Sequence, residues 1–296
     1  MTTLLAVPNV SEGCDPAKID AIANAFDAQL LDVHSDPDHN RSVYTLAGEP
    51  GTLAQHVFAG AREAMAQIDL GGQRGEHPRV GAIDVAPIVY LDESSRGAAC
   101  AEALVLADML GFELDLPVFL YGELAQGRTR AALRRGGPDE LARRIAAGEL
   151  TPDFGPHSMH GTAGAVLVAA RPPLIAFNLE LAPPATLEQA RAIAALIRET
   201  GAEGLPGVRA IGLYLATRGV AQVSTNVEDH RHTTLADVIA AVSRHAHVAR
   251  VELVGLAPRA AFERFPDDVA IPGFDPARHL IEAALADSAP TTGRGA

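Results

Sequence analysis

The chain has 296 residues, 48% of them hydrophobic and 21% charged, enough for a buried core in one large or two medium domains. A formal charge of -13 argues against the basic face that nucleic-acid phosphates require, so a nucleic-acid partner is not expected. No apolar run reaches the length of a bilayer span, and the N-terminus lacks the basic start and apolar stretch of a secretory signal, so neither a membrane partner nor export is expected. The two cysteines, Cys14 and Cys100, have no metal or redox spacing, and a reducing cytoplasm is the plain expectation.

In chain order, Leu4 to Val10 reads as a strand and Asp15 or Pro16 to about Ala28 as a helix. Leu30–Val33 and Ser42–Ala47 read as strands joined by a polar loop, residues 35–41. Thr52 to Ile68 is helical, with Leu53, Val57, Ala61 and Ala64 on one face. A glycine-bounded loop, Gly75-Glu76-His77-Pro78-Arg79-Val80-Gly81, then runs into an apolar strand, Ile83 to Leu91. A helix near Ala98–Leu110 and a strand at Val118–Tyr121 follow, and the arginine-rich stretch Arg128–Glu149 reads as a solvated helical surface element.

The second half repeats the order. Leu174–Leu181 is a strand and Thr186–Glu199 a helix, with Thr186 as N-cap and Gln189 at the capping-box position. Val208–Ala216 and Val220–Val227 form a strand pair, Leu235–Ala246 a helix and Val248–Leu256 a strand. The fold expected is α+β. It comprises two tandem βαββαβ-like subdomains with mostly antiparallel sheets, helices packed on one face, and a substrate groove between the two. The joint is placed at Pro172-Pro173, giving subdomains 1–172 and 173–287, with a small, polar, glycine-rich tail over 288–296 expected to be disordered.

His77 is the leading candidate for chemistry. Loops on rigid strands carry catalytic groups disproportionately, and the following proline holds the histidine backbone extended. Arg79, two positions on, projects to the same side of an extended segment. An imidazole with an ordinary pKa near ~6.5 beside a fixed cation suits general-base work on an anionic substrate. Loop context alone leaves a structural histidine, hydrogen-bonded to backbone, as the commoner alternative.

Several motifs in unchanged order resemble the formiminotransferase family: Val7-Pro8-Asn9-Val10-Ser11-Glu12-Gly13, Asn40-Arg41-Ser42-Val43-Tyr44-Thr45, and Gly75-Glu76-His77-Pro78-Arg79. Pro152-Asp153-Phe154-Gly155-Pro156, Ile175-Ala176-Phe177-Asn178 and Gln222-Val223-Ser224-Thr225-Asn226 continue the likeness into the second half. The resemblance implies transfer of a formimino group from N-formimino-L-glutamate to tetrahydrofolate, a step of histidine degradation, by a homodimer. Because the chain stops where bifunctional members continue into a cyclodeaminase domain, the free-standing form is expected. His77 occupies the position of the family's catalytic histidine.

His34 stands where bifunctional members carry an aspartate, so His34, Asp36 and Asp38 are candidates to support His77. Arg41 and Arg79 are candidates for the donor's carboxylates, since guanidinium meets carboxylate through two parallel hydrogen bonds; either could equally serve a structural ion pair. Asn9 and Ser11 are candidate substrate contacts or caps of the following helix. The segment Gly155-Pro156-His157-Ser158-Met159-His160-Gly161-Thr162-Ala163-Gly164 lines up with the family's folate loop, with alanine at position 163 where the family has an aromatic.

Tetrahydrofolate is then an acceptor substrate. The histidine pairs His230/His232 and His245/His247, and a gathering of His34, His39, His77, His157 and His160, raise a metal alternative, but no multi-ligand signature holds together and no metal is expected. A metal-assisted hydrolase of a formimino or formyl compound and a non-catalytic folate-binding module are the competing readings.

Overall fold

The computed structural model describes residues 2–287; the tail assigned as disordered, 288–296, lies outside the described residues. These residues divide into two compact units, one running to Pro173 and including 215–219, the other beginning at Leu174 and holding the rest.

In the first unit the chain runs β1 (Leu4–Ala6), β2 (Asn9–Val10), α1 (Pro16–Ala25), β3 (Gln29–Asp36), β4 (Arg41–Gly48), α2 (Leu53–Gln67) and β5 (Ile83–Tyr90). It continues through α3 (Arg96–Glu113), β6 (Val118–Leu120), α4 (Arg130–Arg134), α5 (Gly137–Ala146) and β7 (Val166–Arg171). The strands form one seven-stranded sheet. β3 pairs β4, β4 pairs both β1 and β2, these pair β5, and all are antiparallel. β7 then adds parallel to β5, and β6 parallel to β7.

Helix α1 starts where Asp15 accepts from the backbone N–H of Ala17 and Lys18, with Pro16 pre-set in the first turn. Its Ile19 and Ile22 join Leu53, Val57 and Ala61 of α2 and Ala103, Leu106 and Leu110 of α3 in a core over one face of the sheet. A second cluster covers the other face, where Leu133, Leu141 and Ile145 pack with Val85, Phe119, Leu167 and Ala169. The Arg128–Glu149 stretch is therefore helical as expected but is not a solvated element. Its leucines and isoleucine close the back of β5, β6 and β7; Arg135 and Arg143 face outward, while Arg134 turns inward. Strand β7 is absent from the expectation. Its first five residues alternate between the two cores, Val166, Val168 and Ala170 on one side and Leu167 and Ala169 on the other, an apolar run typical of a parallel strand buried on both faces.

The loop expected between the first strand pair is shorter than read, because β3 extends through Asp36 and β4 begins at Arg41. Asn40, at φ 46°, makes the left-handed turn back.

The second unit runs β8 (Ile175–Leu181), α6 (Leu187–Ile197), β9 (Val208–Leu215), β10 (Val220–Val227), α7 (Leu235–Ser243) and β11 (Val248–Val254), followed by the short α8 (Pro276–His279) and α9 (Ile281–Asp287). This is the expected βαββαβ order, folded as an antiparallel sheet β11-β8-β10-β9. Ile175, Phe177, Leu179 and Leu181 alternate into the core beneath α6 and α7. Thr186 caps α6 through the Gln189 N–H, and Thr234 with Asp237 forms a full capping box on α7. Among the described residues no helix is long and apolar enough to cross a membrane.

Candidate active site

The loop from Ile68 to Ala82 folds back on the segment before β7. Leu70 N donates to Thr162 O at 2.8 Å, Ala82 N to Ala163 O at 2.8 Å, and Ala165 N to Val80 O at 2.9 Å. Gly81 and Gly164 bridge at the crossing. A Cβ on Gly81 would lie 1.8 Å from Ala165 O, so only glycine allows this approach. Two distant motifs thus wall one cavity of about 550 Å³, entirely within the first unit. His77, Arg74 and Arg79 line it from one side, Met159, His160 and Gly161 from another, and Gly137, Pro138 and Asp139 from the start of α5.

His77 is half-buried, and its Nδ1 lies 2.8 Å from Pro78 O. A carbonyl only accepts, so Nδ1 carries the hydrogen and Nε2 holds the lone pair. Burial, reinforced by the guanidinium groups of Arg41 and Arg134 and by His39, pushes the His77 pKa well below the ordinary histidine value. The ring of His39 sits 5.9 Å from that of His77, centroid to centroid. His77 is thereby a neutral imidazole at neutral pH with its basic nitrogen defined. His160 is held in the opposite tautomer: its Nδ1 accepts from Ala163 N at 3.0 Å and Thr162 N at 3.4 Å, leaving Nε2–H as a donor.

Beside the cavity lies a buried ion cluster. Asp84, fully buried on β5, accepts from Arg41 Nη1 at 2.7 Å, from Arg134 Nη2, and from Val80 N at 2.8 Å. Burial alone would raise the Asp84 pKa, but Arg134 and Arg41 outweigh it and hold the carboxyl below its ordinary value. Two guanidinium groups share one carboxylate, which leaves this cluster net cationic and adds to the burial that keeps His77 neutral.

The predicted residues separate. Arg41 is buried, absent from the cavity lining, and committed to Asp84, so it sits in the structural ion pair rather than at the cavity. Arg79 lines the cavity and donates only to carbonyls, His39 O at 3.2 Å and Asn40 O at 3.5 Å. His34 lies on β3 opposite Val43 and does not line the cavity. Asp36 accepts from His39 N at 2.8 Å and pairs with Arg218, and Asp38 accepts from Thr217 N at 2.9 Å; both are anchors of the turn before Arg41. Asn9 pairs with Val43 and Val85 in the sheet. Ser11 donates to Gly81 O at 2.7 Å, so it neither caps α1 nor faces the cavity but tethers the His77 loop.

Within 155–164, Met159, His160, Gly161 and Gly164 line the cavity and the rest do not. Gly155, at φ 78°, abuts Gly111 near the end of α3 and the carbonyl of Leu116 just beyond it, and Ala163 is buried in the core beneath α1, α2 and α3. Pro156, His157, Ser158 and Thr162 are absent from the lining, and an aromatic at 163 would have to enter the core. The histidine pairs go elsewhere: His232 meets Asp229, and His245, beyond the end of α7, meets Glu203. Among the described residues no group of three His, Cys, Asp or Glu side chains could hold a metal ion.

Asp84, Arg134, Arg74 and Asp139 were not singled out from the sequence. Asp84 carried a readable signal, a lone carboxylate inside an otherwise apolar strand, which demands a buried partner. Nothing local pointed to Arg134 or Asp139.

The N-terminal subdomain of the formiminotransferase domain matches residues 3–171, and the formiminotransferase domain proper matches residues 176–264. The chain is 36% identical to the glutamate formimidoyltransferase of Thermoplasma acidophilum, over 88% of this chain and 90% of that protein. It is 34% identical to the glutamate formimidoyltransferase of Streptococcus pyogenes, over 86% and 89%. Identity to the formimidoyltransferase-cyclodeaminase of Rattus norvegicus is 36% over 96% of this chain, which spans 60% of that longer protein.

Proposed function

The chain belongs to the formiminotransferase family, and from that premise we propose that it is a glutamate formimidoyltransferase. The reaction moves the formimino group of N-formimino-L-glutamate to tetrahydrofolate, giving 5-formiminotetrahydrofolate and L-glutamate in histidine degradation. The observation that carries the reading is His77, a neutral imidazole with Nε2 unprotonated, set in a cavity lined by Arg74 and Arg79.

The donor carbon is an amidine carbon and the acceptor a secondary amine of the reduced pterin. The amine nitrogen attacks that carbon, and His77 Nε2 takes the amine proton as the new carbon–nitrogen bond forms. The tetrahedral centre then collapses, the bond to the glutamate nitrogen breaks, and the imidazolium returns its proton to that nitrogen. A positioned acid–base group of this kind contributes roughly 10²–10⁴ in rate. Arg79 and Arg74 hold the donor's carboxylates. Met159, His160, Gly161 and Gly164 contact the folate, with His160 Nε2–H as a ring donor.

By the same resemblance the protein is a cytoplasmic homodimer using tetrahydrofolate as its acceptor substrate, with no metal. The test is turnover of the purified protein with both substrates, followed as the methenyl-folate chromophore formed in acid. Signal requiring both substrates supports the transferase. Folate-independent loss of the formimino group, abolished by chelation, would instead favour a metal-assisted hydrolase, and folate binding without turnover a non-catalytic module.

A further inference from the structure

The cavity beside His77 presents three charged side chains, Arg74, Arg79 and Asp139. None of the three forms a direct ion pair among the described residues. Arg74 donates to the carbonyls of Gly71 and Gln73, and Arg79 to those of His39 and Asn40; neither forms a direct ion pair, and Asp84 and Glu12 act on Arg79 only through space. Asp139 sits in the first turn of α5 beside Glu140, yet the two differ. Glu140 is taken up by Arg143, through Nε and Nη2 at 2.8 Å, while the carboxylate of Asp139 makes no hydrogen bond. Pro138, ahead of it in the same turn, and Gly137, at φ 74°, fix the start of that turn against the cavity.

Two fixed cations and one carboxylate around a single cavity are the inverse of a ligand with two carboxylates and one cation. N-formimino-L-glutamate is such a ligand: its α- and γ-carboxylates are anionic, and its formamidine is a strong base that carries a proton at neutral pH. The N-formyl analogue has the same two carboxylates but a neutral amide. We propose that Asp139 receives the amidinium N–H groups of the donor and so selects formimino over formyl donors, an inference that rests on the transferase reading above. A carboxylate accepting from a charged N–H is stronger than one accepting from a neutral amide, and an unpaired carboxylate beside a neutral formyl group gains nothing. The pairing also keeps the positive charge on the amidine, which makes its carbon the better electrophile.

The test separates binding from chemistry. Calorimetric titration of N-formimino-L-glutamate and of N-formyl-L-glutamate into the wild-type chain, without folate, is expected to show the formimino compound binding roughly tenfold or more tightly. In Asp139→Asn the two should bind within about twofold of each other, and Asp139→Glu should keep the preference. Asp139 is exposed and its side chain bonds to none of the described residues, so both variants are expected to fold as the wild type does. A wild-type chain without the preference, or an Asp139→Asn chain that retains it, overturns the assignment; so does an equal loss for both donors, which would mark a structural role. Transfer to tetrahydrofolate is read separately. Its absence with the binding preference intact would sink the transferase reading and leave the charge selection standing.

Discussion

Strand β5 of the first unit is buried along its whole length, whereas β9 and β11 of the second alternate between buried and accessible residues. The cause is how many faces are covered. The first sheet carries α1, α2 and α3 on one face and α4 and α5 on the other, while the core of the second gathers beneath α6 and α7. A strand with no solvated face cannot leave a charge unpaired, so Asp84 is held by Arg41, Arg134 and Val80 N–H. In the second unit the corresponding device is looser. Glu180 meets Arg250 at 2.7 and 2.8 Å, but that arginine side chain is 39% exposed. The connections differ in the same direction. Residues 68–82 intervene between α2 and β5 and carry His77, while residues 244–247 suffice between α7 and β11. Similar element order thus carries the His77 loop and its cavity in one unit and a short four-residue connection in the other.

The largest effect expected is on chemistry. His77→Ala should lower turnover by roughly 10²–10⁴ while the thermal midpoint barely moves, because the side chain is a half-buried loop group. A variant retaining most of its turnover would remove His77 from the reaction. Next comes the buried cluster: Asp84→Asn leaves Arg41 and Arg134 without their carboxylate and should cost about 3–5 kcal/mol in denaturant unfolding. Glu180→Gln, the matched change in the second unit, should cost about 1 kcal/mol or less, since a partly exposed pair is screened. Equal losses would contradict the contrast drawn between the two sheets.

Gly81→Ala lies between these. Its methyl would meet Ala165 O, so the His77 loop must part from the segment before β7, at about 1–3 kcal/mol and with loss of donor binding. Stability unchanged with activity intact would show that the crossing is not needed.

The pH dependence is subtler. The folded-state pKa of His77 lies below the ordinary value, so the acid limb of kcat/KM should fall below about pH 6.5. The sign for stability follows: as pH drops through that value the unfolded chain takes up the proton first and stability declines, until pH passes the folded pKa. Removing one of the two nearby guanidinium groups, as in Arg134→Gln, should move the limb upward, and a histidine-resolved NMR titration would register it. A limb that stays put would assign the depression to burial alone.

The element order, the α+β class and the tandem halves were legible because apolar spacing, caps and turn residues are local signals. Thr186 and Gln189 announced α6, and the alternation of Ile175, Phe177 and Leu179 announced a strand. Strand β7 escaped because a short apolar run buried on both faces has no period to read. The burial of Arg41 escaped for another reason. An arginine in a polar motif looks the same whether its carboxylate belongs to a substrate or to Asp84.

What the sequence determined by itself was the periodicity of each element, the place of His77 at the mouth of an apolar strand, and the family. What only the tertiary structure decided was which groups share a cavity. Parallel pairing of β5 with β7 brings residues 159–164 against residues 70–81, and α5 delivers Asp139 to the same space. Those meetings depend on hydrogen bonds between strands far apart in the chain, and no local pattern records which strands will pair.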